Sequence, residues 1–342
     1  AQEKYNDYVD LKVSKETKDS SGFYNNMQDG KEKAIAFDRL ATYYFYSNSD
    51  SSLVYLKKAE SLAVKLNLPI LQACNHIYIG MLYRMMKSNF STSLYYVNMA
   101  KKEAEEAKIM DSGFHANLFM QQLGLYSSLG SYSKAKKMLE ENGIKIMTPG
   151  KTAESIWTPV GMVGVYYNQI NEHDSAIKYS KLAIEINKTL PSEKKWGFPY
   201  YVMADSYVKI KEYQKAIDIL NIGLDIIKSN NFEKDIAESY ETYARASFNL
   251  NHIDTAISYA KKAYQMSQNI AYVDAIIKTS ELLSNIYNKT KNIDSAYKYL
   301  SISNSLKDQI SDKSKSNEIE NITINEEIRE KQKEEDADRR KK

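Results

Sequence analysis

Small residues recur along this chain at a nearly fixed interval: Ala176, Ala216, Ala256 and Ala296 are each 40 positions apart. The stretches around them read alike. HDSAIKYSKLAIEI starts at His173, EYQKAIDILNIGLDI at Glu212, HIDTAISYAKKAYQM at His252 and NIDSAYKYLSISNSL at Asn292. Toward the N-terminus, Ala135, Ser93 and Ser52 extend the series at steps of 41, 42 and 41, giving seven units. A period of this size leaves each unit too small to bury an apolar face alone. The units must therefore stack on one another around a shared, continuous core.

A second pattern precedes each anchor. It reads His76, Ile79, Gly80, Tyr83 in the second unit and Val160, Val163, Gly164, Tyr167 in the fourth. The fifth unit has Tyr200, Met203, Ala204, Tyr207, and the seventh has Ser280, Leu283, Ser284, Tyr287. Phe37, Leu40, Ala41, Tyr44 and Tyr240, Tyr243, Ala244, Ser247 fit the first and sixth. Offsets of three, four and seven place these residues on one face of a helix. Each unit is thus a pair of helices, A and B, in which the small residue of A meets the small anchor of B. Such a contact lets two helix axes approach closely. The third unit fits least well, with two registers open around Leu123–Tyr126.

This arrangement resembles the tetratricopeptide repeat, with its aromatic-x2-Leu-Gly-x2-Tyr stretch followed by Ala-x3-Phe. The resemblance covers residues 31–303. It implies an all-α fold: a right-handed superhelix, or α-solenoid, of about seven helix pairs with a C-terminal extended helix. The family's usual unit has about 34 residues, shorter than the 40–42 seen here. The aromatic position of helix B is filled by Leu139, Ser180, Leu220, Ala260 and Leu300. Longer units of this kind resemble the kinesin-light-chain and bacterial-regulator branch of the family. HEAT-type repeats have a similar period but lack the Ala pattern.

Composition agrees with long helices and short connections, since there are only 12 Gly and 5 Pro in 342 residues. Six of the 47 basic residues are Arg, and Tyr reaches 28; a low-GC genome is expected to account for this bias. A net charge of +3 is too near neutral to imply direct nucleic-acid or membrane binding. One cysteine, Cys74, excludes an internal disulfide. Residues 1–30 are expected to form a capping helix around Tyr5, Tyr8 and Leu11, followed by a loop through Ser20, Ser21 and Gly22. Leu68-Pro69, Thr148-Pro149-Gly150 and Pro191 to Pro199 mark loops between units, and Trp196 is expected to pin the last of these. Residues 304–342 form a separate segment. Its apolar stripe (Leu306, Ile310, Asn317, Ile324, Ile328) is thin, and 14 of the last 17 residues are charged. It reads as a solvated helix or linker with coiled-coil tendency, through which the chain could dimerise.

Arrays of long units rich in Tyr, Asn and Lys and followed by a charged helix also resemble the sensor halves of membrane-bound regulators of Bacteroidetes. That resemblance implies an exported, periplasmic array. It further implies a membrane span and a LuxR-type DNA-binding domain or a histidine kinase beyond Lys342. The alternative is a cytoplasmic adaptor or peptide-responsive regulator without an anchor.

Nothing in the sequence forms a catalytic constellation, and no enzyme activity, cofactor or metal is expected. The four histidines have no ligand spacing, and His173 and His252 fall at A–B turns. Cys74 is expected to be packed. Gly161-x-x-Gly164 lacks the Lys-Ser/Thr of a phosphate loop. Binding is the better supported activity, since the family resemblance implies that A helices line a concave groove. One lane of it reads Thr42, Met81, Gly124, Val165, Asp205, Arg245 and Asn285. The neighbouring turns add Met85, Met120, Gly161, Tyr201, Lys209 and Glu241. Met81, Met85, Met120 and Val165 would accept apolar side chains of an extended peptide or protein segment, because Met adapts its shape. Tyr201, Asp205, Lys209, Glu241, Arg245 and Asn285 would meet its backbone and charges. Glu241 and Arg245, four apart, could equally pair with each other. The Lys/Asn carboxylate clamp of chaperone-binding members of the family is absent.

Overall fold

A computed structural model of the chain describes residues 21–309, apart from 46–47, 87–88, 111, 144–152, 191–196 and 230–232. The helix expected around Tyr5 to Leu11, the Thr148–Gly150 loop, Trp196 and the charged tail lie outside the described residues. All described elements are helical. A short α1, Ser21–Asn26, comes first, so Ser21 and Gly22 begin a helix instead of lying in the expected loop. Seven A/B pairs follow. Units one to three are α2 (Lys31–Tyr44) with α3 (Ser49–Lys65), α4 (Pro69–Met86) with α5 (Phe90–Glu106), and α6 (Ser112–Ser128) with α7 (Tyr132–Met138). Units four to six are α8 (Ala153–Gln169) with α9 (His173–Lys188), α10 (Phe198–Lys209) with α11 (Tyr213–Ser229), and α12 (Glu233–Asn249) with α13 (Ile253–Asn269). The seventh is α14 (Val273–Lys289) with α15 (293–309).

The small anchors are where the helices touch. Ser52, Ser93, Ala135, Ala176, Ala216 and Ala256 are essentially inaccessible to solvent. A Cβ on Gly80 would lie 2.9 Å from Val97 Cγ2 and 3.2 Å from the Ser93 carbonyl oxygen, and one on Gly164 would lie 2.7 Å from Ser180 Oγ. Two of the serines that replace the small apolar residue have their hydroxyl satisfied: Ser52 donates to the Ala41 carbonyl (2.8 Å) and Ser284 to that of Ala296 (2.9 Å), whereas the buried Ser93 hydroxyl has no hydrogen-bond partner among the described residues. Unit three departs from the rule. Leu123 is fully buried against Ala135, so a large side chain fills the small position, which settles the register of that unit. Its B helix is short and runs on into a π turn, Leu139–Gly143.

The turns explain how the chain manages with so little glycine. A left-handed residue follows the A helix in units three to seven: Gly130, Asn171, Lys211, Asn251 and Lys291. In each, the next amide closes a loop back into the helix, as Glu212 N–H does to the Tyr207 carbonyl (2.8 Å) and His252 N–H to that of Ser247 (2.8 Å). These are Schellman-type ends, which favour glycine but accept asparagine. Ala271 adopts φ 51° at the α13–α14 turn without glycine's freedom. Ala271→Gly should therefore raise stability by about 0.5–1 kcal/mol in urea unfolding.

Tyrosine has a structural use that composition alone hides. Tyr44 stacks on Tyr55, Tyr83 on Tyr96, Tyr167 on Tyr179 and Tyr287 on Tyr299, with ring planes within 8° of parallel. Each pair joins the A helix to the B helix of one unit, three residues beyond the two small positions. In unit six Ser247 holds the A-helix position, and Tyr243 stacks on Tyr259 instead. Stacked rings of this kind contribute about 0.5–1.5 kcal/mol beyond burial. The genomic-bias account of the tyrosines is therefore incomplete. The stack is open at its last described helix. Leu300, whose counterparts Leu220 and Ala260 are fully buried under the following A helix, is 45% exposed, with Ile293 and Tyr297 beside it.

Candidate functional site

Neighbouring A helices pack on one another (α4 on α6, α6 on α8, α8 on α10, α10 on α12, α12 on α14), while the B helices α3, α5, α9, α11 and α13 pack chiefly between their own A helix and the next. The A helices therefore form the inner wall of the superhelix, where the sequence places its groove.

The polar residues expected there do come together, but largely with one another. Arg245 donates from Nε and Nη2 to both oxygens of Glu241 (2.9 Å each), and from Nη2 to Asp205 Oδ1 at 2.6 Å. Asn168 Nδ2 donates to Asp205 Oδ2 at 2.6 Å, and Lys209 donates to the Asn168 carbonyl and Oδ1 at 3.2 Å. Lys209 also pairs with Asp205 at 3.3 Å. Burial opposes charge on Asp205, yet Arg245 and Lys209 hold its carboxyl down at about 2. Burial likewise disfavours the Arg245 charge, and Glu241 and Asp205 more than offset it. The result is a ladder across α8, α10 and α12 that braces three units. Asn285 stands exposed on α14, apart from it.

The apolar half is also partly spent on packing. Met81 and Met85 rest against a cluster of Tyr78, Ile79 and Leu82. Val165 and Tyr201 meet around Phe198 and Val202. Met120 is half-buried on α6. The two lane glycines do not open a floor. A Cβ on Gly161 would run into the Phe198 ring at 2.5 Å, and one on Gly124 would lie 3.1–3.2 Å from the Arg84 guanidinium.

Sequence reasoning missed the charged residues deeper in the lumen. On α12 the stripe holding Glu241 and Arg245 continues toward the N-terminus through Glu238 and Lys234, at the same three- and four-residue steps. The lanes read from the sequence stop one turn short of them. The Lys234 ammonium lies 4.9 Å from the centre of the Tyr272 ring, and the Tyr272 hydroxyl donates to Glu238 at 2.7 Å. Lys278 of α14 faces Glu238 at 4.0 Å. From α4, Arg84 donates to Gln121 at 3.1 Å, and its charge reaches Lys234. Burial lowers the Lys234 pKa; Glu238 opposes that shift and Arg84 adds to it. Tyr201 and Tyr272 also feel one another. Units six and seven thus share a cluster of charged and aromatic side chains at their joint.

A second cluster was invisible in the sequence. The buried His76 ring on α4 bonds to Glu103 of α5 (2.7 Å) and Glu60 of α3 (2.8 Å). Gln72 donates to Glu103 (2.7 Å) and Lys57 to Glu60 (2.8 Å). Burial disfavours the imidazolium, but the two carboxylates keep its pKa raised to about 9. Its hydrogen bond in turn holds Glu60 near 2. Cys74, two residues earlier on α4, is also buried. His173 opens α9 and His252 caps α13, both at A–B turns.

Comparison with known proteins agrees with this geometry. The family model for the tetratricopeptide repeat matches residues 237–270. Tetratricopeptide repeat protein 29 of Macaca fascicularis is 23% identical over 198 residues; the match covers 56% of this chain and 40% of the length of that protein. The apo form of RapI superposes with a TM-score of 0.55 at 16% identity, covering 82% of this chain and 99% of that one. A Rap protein complexed with Competence and Sporulation Factor superposes at 0.53 with 12% identity, covering 86% and 92%. At such identities the likeness is one of fold.

Proposed function

We propose that this chain, a tetratricopeptide-repeat protein, is a non-enzymatic module that captures an extended peptide or protein segment in its lumen and serves as the ligand-sensing part of a bacterial regulator. The observation that carries the reading is the gathering of Lys234, Glu238, Tyr272 and Lys278 where the inner helices of units six and seven meet: the Tyr272 hydroxyl donates to Glu238, the Lys234 ammonium lies over the Tyr272 ring and Lys278 faces Glu238. A Rap protein of similar fold is known complexed with Competence and Sporulation Factor, which supports ligand binding by a superhelix of this kind. The Tyr-, Asn- and Lys-rich composition and the charged tail support the exported, periplasmic placement, with a membrane-anchored continuation beyond Lys342.

Capture would act by changing the pitch of the stack. Neighbouring units contact only neighbours, so small changes at each joint add along the superhelix. The ligand must bind one pitch more tightly than the other, since equal affinity shifts nothing. A fluorescein-labelled random heptapeptide pool should bind saturably by anisotropy, and Tyr201→Ala should weaken that binding about ten-fold. Absence of saturable binding would overturn the reading. Fractionation of the source cells should place the protein in the periplasm; a cytoplasmic location would favour the adaptor reading instead.

A further inference from the structure

One position of the B helix is covered in units one to six and bare in unit seven. Leu56, Val97, Leu139, Ser180, Leu220 and Ala260 each stand four residues after the small anchor, and none is more than 8% exposed. Leu300 holds the same place on α15 at 45%, with Tyr297 at 73% and Ile293 at 63% on the same face. The helix itself is firmly seated. Ala296 and Ser303 are buried, Ser303 Oγ donates to Glu281 at 3.3 Å, and Lys307 pairs with Glu281. What is missing among the described residues is the next A helix.

We infer that residues 313–329 fold back as a helix across Ile293, Tyr297 and Leu300, in place of extending from α15 as a coiled-coil strand. The 40-residue period carries α14, Val273–Lys289, onto 313–329, and the chain has 33 residues after Gln309 to supply the turn and the helix. On α14, Leu282 and Ile286 share a buried cluster with Ala256 and Ala260 of the preceding unit. Ala275 and Thr279, also buried, continue that face at three- and four-residue steps. One period on, the four positions read Lys315, Ile319, Ile322 and Glu326. Two isoleucines stand at the centre, and the end residues can reach water. The face that would take a further B helix reads Glu320, Thr323, Ile324 and Glu327 in place of Ser280, Leu283, Ser284 and Tyr287. That face suits solvent, so the stack stops with this helix. A second copy of the chain fits less well, since a stable interface takes roughly 800 Å² from each partner. A tethered segment needs less area, because the tether keeps its effective concentration high. Docked in this way, the segment moves with unit seven, so a change of pitch displaces residues 330–342.

Hydrogen–deuterium exchange of the full chain, corrected for intrinsic rates, tests the docking independently of any peptide ligand. Amides of 313–329 should exchange at least about ten-fold more slowly than those of 330–342. Leu300→Asp and Ile322→Asp should each remove the difference while α12 keeps its protection. Should Leu300→Asp disturb unit seven, Ile319→Asp and Ile322→Asp, which lie outside the seven units, decide. Equal exchange of the two segments in the native chain overturns the docking. Protection that survives the aspartates belongs to a free-standing helix and also overturns it. Protection that fades on dilution, with a dimer in sedimentation, gives the face to a second copy and overturns it as well.

Discussion

His76→Ala should destabilise the chain by about 3–5 kcal/mol, the range for removing one partner from a buried ion pair. The ring is almost wholly inaccessible and bridges carboxylates on two different B helices. Without it Glu60 and Glu103 would face a cavity, with only Lys57 and Gln72 to answer them. His76→Gln should recover only part of the loss, since a neutral amide cannot offset two carboxylate charges. The effect has a pH signature. The folded-state pKa of His76 is about 9, above the ordinary 6.5. Its stabilisation is therefore complete below about 6.5 and lost as the pH rises through 9. Glu60 runs the other way: held near 2 against an ordinary 4.5, it stabilises above about 4.5 and loses this as the pH falls through 2. Urea unfolding of native and variant chains between pH 6 and pH 10 should show the gap narrowing at the alkaline end. A gap of constant size would mean that packing, not charge, sets the effect.

The repeat was legible because it is a packing rule applied seven times. Small residue against small anchor survives in sequence whatever surrounds it, and the anchors lie where the period puts them. What escaped the sequence depends on pairs that no single unit contains. Glu60 and Glu103 are 43 residues apart, and His76 occupies a position that holds an apolar or aromatic residue in the other units except the seventh, which has Ser280. Its role appears only when α3 and α5 are brought to either side of α4. The ladder of Asn168, Asp205 and Arg245 is of the same kind. Each member sits on a different A helix, so the sequence could place Asp205 and Arg245 in the groove but not show that they neutralise one another or that Asn168 joins them. The i, i+4 pairing of Glu241 with Arg245 was readable; the third partner, Asp205, was not. The tyrosine pairs were hidden for another reason: an abundant residue has a compositional explanation that needs no structure. Glycine was ambiguous in the groove, because a missing side chain marks close approach whether the neighbour is a ligand or, as at Gly161, another helix.

The same ambiguity makes Gly223 a sharp test of how tightly the stack is built. Gly223 lies within α11, where glycine costs about 1 kcal/mol relative to alanine by propensity. Propensity alone therefore predicts that Gly223→Ala stabilises. Geometry predicts the reverse, because the new Cβ would lie 2.5 Å from both Cβ and Cγ of Tyr200 on α10. The Tyr200 Cβ is fixed to its backbone, so no rotamer relieves the overlap and the two helices must move apart. Overpacking of this kind costs about 1–3 kcal/mol and occasionally more. Because the separation would also disturb the buried Tyr200 ring, a net loss of about 2 kcal/mol is expected. A double-mutant cycle separates the causes. Tyr200→Ala keeps the offending Cβ and should not rescue Gly223→Ala, whereas Tyr200→Gly removes it and should give a favourable coupling of about 1 kcal/mol or more. Rescue by alanine would locate the strain in the ring instead of the backbone approach.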